Sequence, residues 1–499
     1  MLDKYRITQA LLLPFPSSWY DLHVGNETVF QAVEKDSRLI PCPLVIPDSG
    51  LEVGQERAFI KGLIQRGARC AAFFPKTFNT TLDERVISPL LKAMEHYHLP
   101  MALFETGLPE AATLADQYPL MPFILHGVSY RARNLIPILK HTSNLHLSIA
   151  PNFAPYRGLE VLVEHCGVEK FLFASGYPEC EPGAAIGFLV YSGLDRVEIE
   201  KIAFANLEHL IAGIHLEAGG SKKHIPAPAA PEENGPEKST GKLQDYVWQR
   251  RPLPWKGIVD MHAHYGKTPS FPIWGGDAED LVAEMDRAGV EKMMVSHQAV
   301  MTPNVTLGNN QVLAAITRYP GRILGYATCY PADKSQGIEE IRRCIESGMQ
   351  GIKLHNGAGI PYTSALYEPI WTFANEHRLP VLLHTWGDIN KLEPIFDKYR
   401  DAVILLGHAG AARPEMYVEY AHRFHNLYLE LCYSRSPYGL VEYFVREIGA
   451  KRMLWGSDAP WMAIGQQLGR VIFADISEAD KKRILIDNPK QILEKRRSA

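Results

Sequence analysis

The chain has 499 residues, too many for one ordinary core, and its 46% hydrophobic content is that of globular domains. A net charge of -4 offers no basic footprint for nucleic acid or an anionic membrane surface, and no membrane-length apolar run or charged leader with an apolar stretch is present. Seven cysteines without CxxC spacing argue against a disulfide framework or a thiolate metal site, so the expected compartment is a reducing cytoplasm.

In chain order, the first half carries short apolar runs. They include Leu99-Pro100-Met101-Ala102-Leu103-Phe104, Asn144-Leu145-His146-Leu147 and Phe171-Leu172-Phe173-Ala174-Ser175-Gly176. From Glu217 to Lys242 the composition turns to Gly-Gly-Ser-Lys-Lys, Pro-Ala-Pro-Ala-Ala-Pro and Glu-Glu-Asn-Gly-Pro, without apolar periodicity. Such a stretch reads as a flexible, partly polyproline-like tether. The expected organisation is a domain over 1–216, a linker over 217–250 and a second domain over 251–499.

The second half alternates strand and helix eight times. Strands are expected near 257–264, 291–297, 323–331, 351–355, 380–386, 402–410, 427–433 and 452–458. Between them run patterned helices. One holds Leu281, Met285 and Ala288 at helical spacing behind an Asp277 cap, and another holds Ile338, Ile341 and Ile345 before Gly348. Eight parallel strands with intervening helices in roughly 250 residues fit the (β/α)8 TIM barrel, an α/β fold with its chemistry at the C-terminal strand ends.

Those ends carry the titratable side chains. In Asp260-Met261-His262-Ala263-His264, period-two alternation predicts that Ile258, Asp260, His262 and His264 share one face and Val259 and Met261 the other. Two histidines so placed make a pair of metal ligands. Later strands end in Lys353-Leu354-His355, in His384, in His408 and in Ser457-Asp458. Ile352 and Leu354 facing the helices would turn Lys353 and His355 inward.

With these motifs in this order, the C-terminal half resembles the amidohydrolase superfamily, specifically its amidohydrolase-related branch. The resemblance implies a divalent-metal enzyme in which His262, His264, His384 and Asp458 hold the metal, with His408 the catalytic imidazole or a second-metal ligand. Lys353 and His355 are then either a substrate-facing pair around a single metal or, with Lys353 carbamylated, part of a binuclear centre. One metal is the favoured reading. Members of the branch hydrolyse C–O or C–N bonds, and some decarboxylate or hydrate unsaturated or aromatic acids.

The donor set makes chemical sense on its own. Three imidazoles and a carboxylate suit zinc, manganese or a similar divalent ion, and Asp458 could accept a proton from an attacking water. Ser457 is placed to orient that carboxylate. Arg413 and Arg435, after the sixth and seventh strands, could clamp a substrate carboxylate. His297, ending the second strand, could help bind substrate or fill the barrel mouth, and Trp386 and Trp461 could wall an apolar substrate. Cys432 is expected to pack. The leading expectation is a zinc hydrolase of a small carboxylated ester, lactone or amide; the alternatives are a metal-dependent decarboxylase of an unsaturated or aromatic acid, and a binding module without turnover.

The first half repeats the second at an offset near 280. Residues 99–104 align with Leu379-Pro380-Val381-Leu382-Leu383-His384, 144–147 with Asn426–Leu429, 171–176 with Met453–Asp458, and Ala185-Ile186-Gly187 with Ala463-Ile464-Gly465. The ligands are lost: Phe104 stands for His384, Gly176 for Asp458, Ala72 for Lys353 and Pro14 for His297, while His126 and Arg131 survive opposite His408 and Arg413. Met1 to Phe15 matches the stretch around Glu284 to Gln298, so the copy lacks a first strand. The resemblance, whose members pair as dimers of barrels, implies a degenerate, non-catalytic copy that braces the active half as an intrachain pseudo-dimer, with further homo-oligomers open.

Overall fold

The computed structural model describes residues 1–14, 21–51, 53–215, 242–330, 334–435 and 437–496. Residues 217–241 of the expected linker lie outside them, but its last part is not a tether: Leu243–Trp248 form a helix with Leu243, Asp245 and Val247 buried. Two compact units are present, and they do not follow a single cut in the chain. One comprises Met1–Phe153, Glu160–Ala174 and Leu194–Ser239; the other comprises Ala154–Leu159, Ser175–Gly193 and Thr240–Ala499. Among the described residues no helix is long and apolar enough to cross a membrane.

The first unit holds seven strands, all parallel to their neighbours: β1 (Ala10–Leu12), β2 (Leu39–Pro41), β3 (Ala71–Phe73), β4 (Met101–Leu103), β5 (Phe123–Leu125), β6 (Leu145–Ile149) and β7 (Phe171–Phe173). The β1–β2 pair joins the five-stranded sheet β3–β7 through the parallel bridge between Leu44 and Ala72. The interior is lined by Cys42, Leu44, Cys70, Ala72, Ala102, Ile124 and Leu172. Above them Phe104 stacks on Phe74, 4.2 Å between ring centroids, and on His126 at 4.3 Å. Among the described residues these seven strands make a parallel, barrel-like wall.

The second unit includes a helix from the first half of the chain, α1 (Pro182–Val190), all nine residues of which are buried. Without a charged residue, it is apolar on every side, as a helix surrounded by protein must be. Its barrel follows as β8 (Val259–Tyr265), α2 (Ala278–Ala288), β9 (Lys292–His297), β10 (Ile323–Thr328), α3 (Lys334–Glu346), β11 (Gly351–Leu354), β12 (Pro380–His384), β13 (Val403–Gly407), β14 (Leu427–Glu430) and β15 (Met453–Leu454). Two helices follow, α4 (Ile464–Ile472) and α5 (Asn488–Lys495).

These eight strands form one parallel sheet in chain order. It closes where Met261 N–H donates to the Trp455 carbonyl at 3.0 Å and Asp458 N–H to the His262 carbonyl at 2.7 Å. All eight expected strands are present, and the last is shorter than expected because Trp455 to Asp458 turn toward β8. Local signals act as read: Asp277 accepts from Asp280 N–H at the start of α2, and Gly348 takes φ 108° after α3.

The alternation predicted for β8 does not hold. Val259 and Met261 point into the barrel, packed with Met294, Leu324, Tyr326, Leu382, Leu405 and Leu454 over Ile492 of α5. A register shift between Asp260 and Ala263 then changes which residues face inward. Such a bulge adds one residue to the strand and re-aims the side chains beyond it. The lower part of β8 therefore fills the core, and the upper part delivers His262 and His264.

Candidate metal centre

The bulge is locked by Asp260. This fully buried carboxylate accepts from the backbone N–H groups of His262 and Ser457, each at 3.0 Å, and from the Ser457 hydroxyl. Burial pushes its pKa up to about 8, against the hydrogen bonds that lower it. Ser457 thus serves Asp260, and the expected orientation of Asp458 by Ser457 is not found. Its hydroxyl instead also accepts from Ala459 N–H at 3.0 Å.

Above the bulge three ligand atoms converge. Asp458 Oδ1 lies 3.0 Å from His264 Nε2 and 3.6 Å from His262 Nε2, without hydrogen-bond geometry to either. Burial pushes the Asp458 carboxyl up, but the imidazoles beside it outweigh burial and hold it well below the usual carboxylate range. A buried carboxylate oxygen facing two imidazole nitrogens is a donor set, or cradle, that fits a divalent cation. Ligand atoms about 2 Å from one divalent ion stand about 3 Å from each other, which these spacings match.

The proton positions agree. His262 Nδ1 is 2.7 Å from Glu430 Oε2, whose pKa burial raises; while Glu430 is ionised it accepts from Nδ1–H, and Nε2 presents a lone pair. His408 Nδ1 lies 3.0 Å from the Cys432 carbonyl, which fixes its proton there too. His264 Nδ1 meets the Ser296 hydroxyl at 3.2 Å. Burial lowers the pKa of all three rings, keeping them neutral and metal-competent.

His384 ends β12 as predicted, stacked on His355 (4.3 Å between centroids) and edge-on to His408 (4.6 Å). Burial pushes His355 down to about 2 and holds His384 lower still. Lys353 is fully buried, with Nζ 3.0 Å from His262 Nε2, and burial lowers its pKa to about 8. The inward turn of Lys353 and His355 expected from the strand pattern is therefore present.

The structure brings Trp386 to the rim, 49% exposed, its ring 6.1 Å from His408. Trp461 stacks on His264 at 4.7 Å, and its buried Nε1–H has no protein acceptor. Arg413 and Arg435 are not drawn in: both are exposed, Arg413 beside Glu415 and Arg435 against Tyr433. His297 accepts from Ala299 N–H and bonds Gln311 rather than facing the histidine cluster.

Sequence reasoning missed Glu430, which is completely buried at the end of β14. The signal was an acidic residue inside Leu429-Glu430-Leu431, where burial demands a charged or hydrogen-bonding partner. Cys432 also comes closer than expected, its Sγ 3.2 Å from His262 Nδ1 and 3.3 Å from His408 Nδ1. Together with His262, His408 and Asp458 it forms a compact ligand-like group. The thiol faces the Nδ1 edges, whose protons are committed to Glu430 and to the Cys432 carbonyl, while the cradle opens on Nε2. Burial also raises the thiol pKa well above its usual value. Cys432 sits on the Nδ1 side of His262 and His408, opposite the His262 Nε2 that faces Asp458.

Residues 259–495 match the family model described as Amidohydrolase. Gamma-resorcylate decarboxylase of Polaromonas sp. (strain JS666 / ATCC BAA-500) is 24% identical over 268 residues, 40% of this chain and 82% of that protein. The Rhodococcus jostii (strain RHA1) enzyme of the same name is 23% identical over 270 residues, 41% of this chain and 80% of its own length. Among solved structures, 2,6-dihydroxybenzoate decarboxylase complexed with 2,6-dihydroxybenzoate is similar at 19% identity and a TM-score of 0.42, over 48% of this chain and 100% of that one. A dihydroxybenzoic acid decarboxylase from Polaromonas sp. JS666, with bound manganese and 2-nitroresorcinol, is similar at 20% identity and a TM-score of 0.38, over 48% and 97%. Residues 259–495, just under half of the chain, are thus similar to the amidohydrolase family.

Proposed function

We propose that the barrel is a metal-dependent, non-oxidative decarboxylase of a small hydroxylated aromatic acid, in preference to the hydrolase that the strand-end motifs first suggested. The observation that carries the reading is the sequence similarity to two gamma-resorcylate decarboxylases, which runs through the barrel that builds the cradle. In this reading residues 251–499 are the catalytic domain, 1–216 are non-catalytic and 217–250 connect them.

His262, His264, His384 and Asp458 would hold one divalent ion, and manganese and zinc both suit this nitrogen and oxygen set. The ion would bind the substrate carboxylate and a neighbouring oxygen and stabilise their negative charge. Trp461 supplies a flat wall, and its free Nε1–H can donate to a substrate oxygen. Trp386 closes the outer side. His408, its Nδ1–H fixed on the Cys432 carbonyl, takes up a proton at Nε2 and passes it to the ring carbon that bears the carboxylate. The bond from that carbon to the carboxyl carbon then breaks, carbon dioxide leaves, and the ring keeps the proton. Asp458 would accept hydrogen bonds in this relay while remaining an anion.

The test is release of labelled carbon dioxide from carboxyl-labelled dihydroxybenzoates, with deuterium uptake at the vacated ring carbon in heavy water. Labelled gas together with ring deuterium supports the lyase. Water-dependent cleavage of esters or lactones without gas would restore the hydrolase.

A further inference from the structure

The unit that contains the barrel also contains two pieces of the first half, Ala154–Leu159 and Ser175–Gly193, and their contacts obey a two-fold rule. Pro155 pairs antiparallel with Met462, and Cys180 pairs antiparallel with Pro437. Pro437 stands 282 positions after Pro155, and Met462 stands 282 after Cys180. Each contact is therefore the other with the roles of the two halves exchanged.

The helices beside these bridges follow the same rule. α1 carries Gly183-Ala-Ala-Ile-Gly187, and α4 carries Gly465-Gln-Gln-Leu-Gly469, again 282 positions on. A methyl group on Gly187 or Gly465 would run into the other's carbonyl oxygen, and one on Gly469 would run into the Gly183 carbonyl. First glycine meets second glycine in both directions, so the helices run antiparallel with their backbones touching. This register replaces the alignment of Ala185-Ile186-Gly187 with Ala463-Ile464-Gly465. The two differ by four residues, about one helical turn, which returns to the same face.

Exchange of i with j′ for j with i′ is the mark of an isologous contact, the kind that joins identical subunits about a two-fold axis. All nine residues of α4 are buried, like those of α1. The seam also reaches toward the cradle. From α4, Gln467 bonds both the N–H and the carbonyl of Tyr433, each at 3.1 Å, and Arg470 donates to the Leu431 carbonyl. Cys432 lies between those two residues, against His262 and His408.

We infer that α1 and α4 form a dimer-type seam folded into one chain: the first half is the barrel's permanently attached partner, and the face that would take a second copy of this chain is used up internally. The inference rests on contact geometry and is independent of the reaction assigned to the barrel.

A protease site placed within the Pro-rich stretch between Lys223 and Lys242 of the full chain allows the halves to be severed after folding. At micromolar concentration the cut wild-type chain is expected to elute as one species whose native mass equals the sum of both fragments. Separation of the cut fragments would overturn the inference. In the same cut background, Gly187→Leu is expected to weaken pairing at least about tenfold, as overpacking of a tight contact should. Gly62→Leu, at a position with open space around it, should leave pairing unchanged. Pairing as tight in Gly187→Leu as in wild type would also overturn the inference. The cut wild-type arm carries no substitution in the seam, so misfolding of a variant cannot mask the result.

Discussion

Glu430 Oε2 lies 2.7 Å from His262 Nδ1, with both side chains fully buried. The carboxylate fixes the imidazole tautomer and raises its basicity toward a metal on the opposite nitrogen. Glu430→Gln is expected to lower metal affinity on the order of 10- to 100-fold with the fold retained. Competition against a chelator, read by elemental analysis, measures this; unchanged affinity would remove Glu430 from the site.

Gly456 shows how closely that pair is packed. A Cβ there would stand 2.5 Å from His262 Cβ and 2.7 Å from Glu430 Oε1. Gly456→Ala should cost about 1–3 kcal/mol of stability and part of the metal with it. Thermal unfolding with and without added metal checks both, and a variant as stable and as metal-replete as wild type would contradict the packing.

Metal stoichiometry separates the roles of the buried nitrogens. Purified without a polyhistidine tag, the chain is expected to bind near one equivalent of divalent metal, and the double change His262→Ala with His264→Ala to bind none. Lys353→Met should keep that equivalent, because Lys353 Nζ sits 3.0 Å from His262 Nε2 as a neighbour of the cradle. A second equivalent in wild type, lost in Lys353→Met, would instead establish a carbamate bridge.

The first half should respond to acid through His126. Burial lowers its pKa from 6.5 to about 4, so the unfolded chain takes up a proton before the folded one does. The stability this group contributes is complete above pH 6.5 and is lost as the pH falls through 4. His126→Phe, which keeps a ring on Phe104, should lose less stability than wild type between pH 7 and pH 4.5 in denaturant titrations. Equal losses would place the acid sensitivity elsewhere, with His146, also lowered to about 4, the next to change.

Much of the barrel was legible because its strands are short apolar runs whose final residue is polar, as at Leu383-His384 and Gly407-His408. Two things were not. The bulge after Asp260 is invisible to a period-two pattern, since an inserted residue leaves no compositional trace; Val259 and Met261 consequently face the core. Residues that act on other residues are also silent, because Glu430 and Asp260 are defined by what they touch across the barrel, His262 Nδ1 and Ser457. Arg413 and Arg435 lie exposed after their strands, because position after a strand says little about where a long side chain lies.

The ring clusters of the two units bear on the proposed reading of the first half as a non-catalytic copy. In one unit His384 stacks on His355 and meets His408 edge-on; in the other Phe104 stacks on both Phe74 and His126, at similar centroid spacings. A flat ring fills the mouth of such a wall whether or not it owns a lone pair, and phenyl is the easier group to keep away from water. Losing the chemistry there need not open a hole. The architecture can therefore outlive its reaction, and an intact mouth says nothing about activity until the identity of each ring is read.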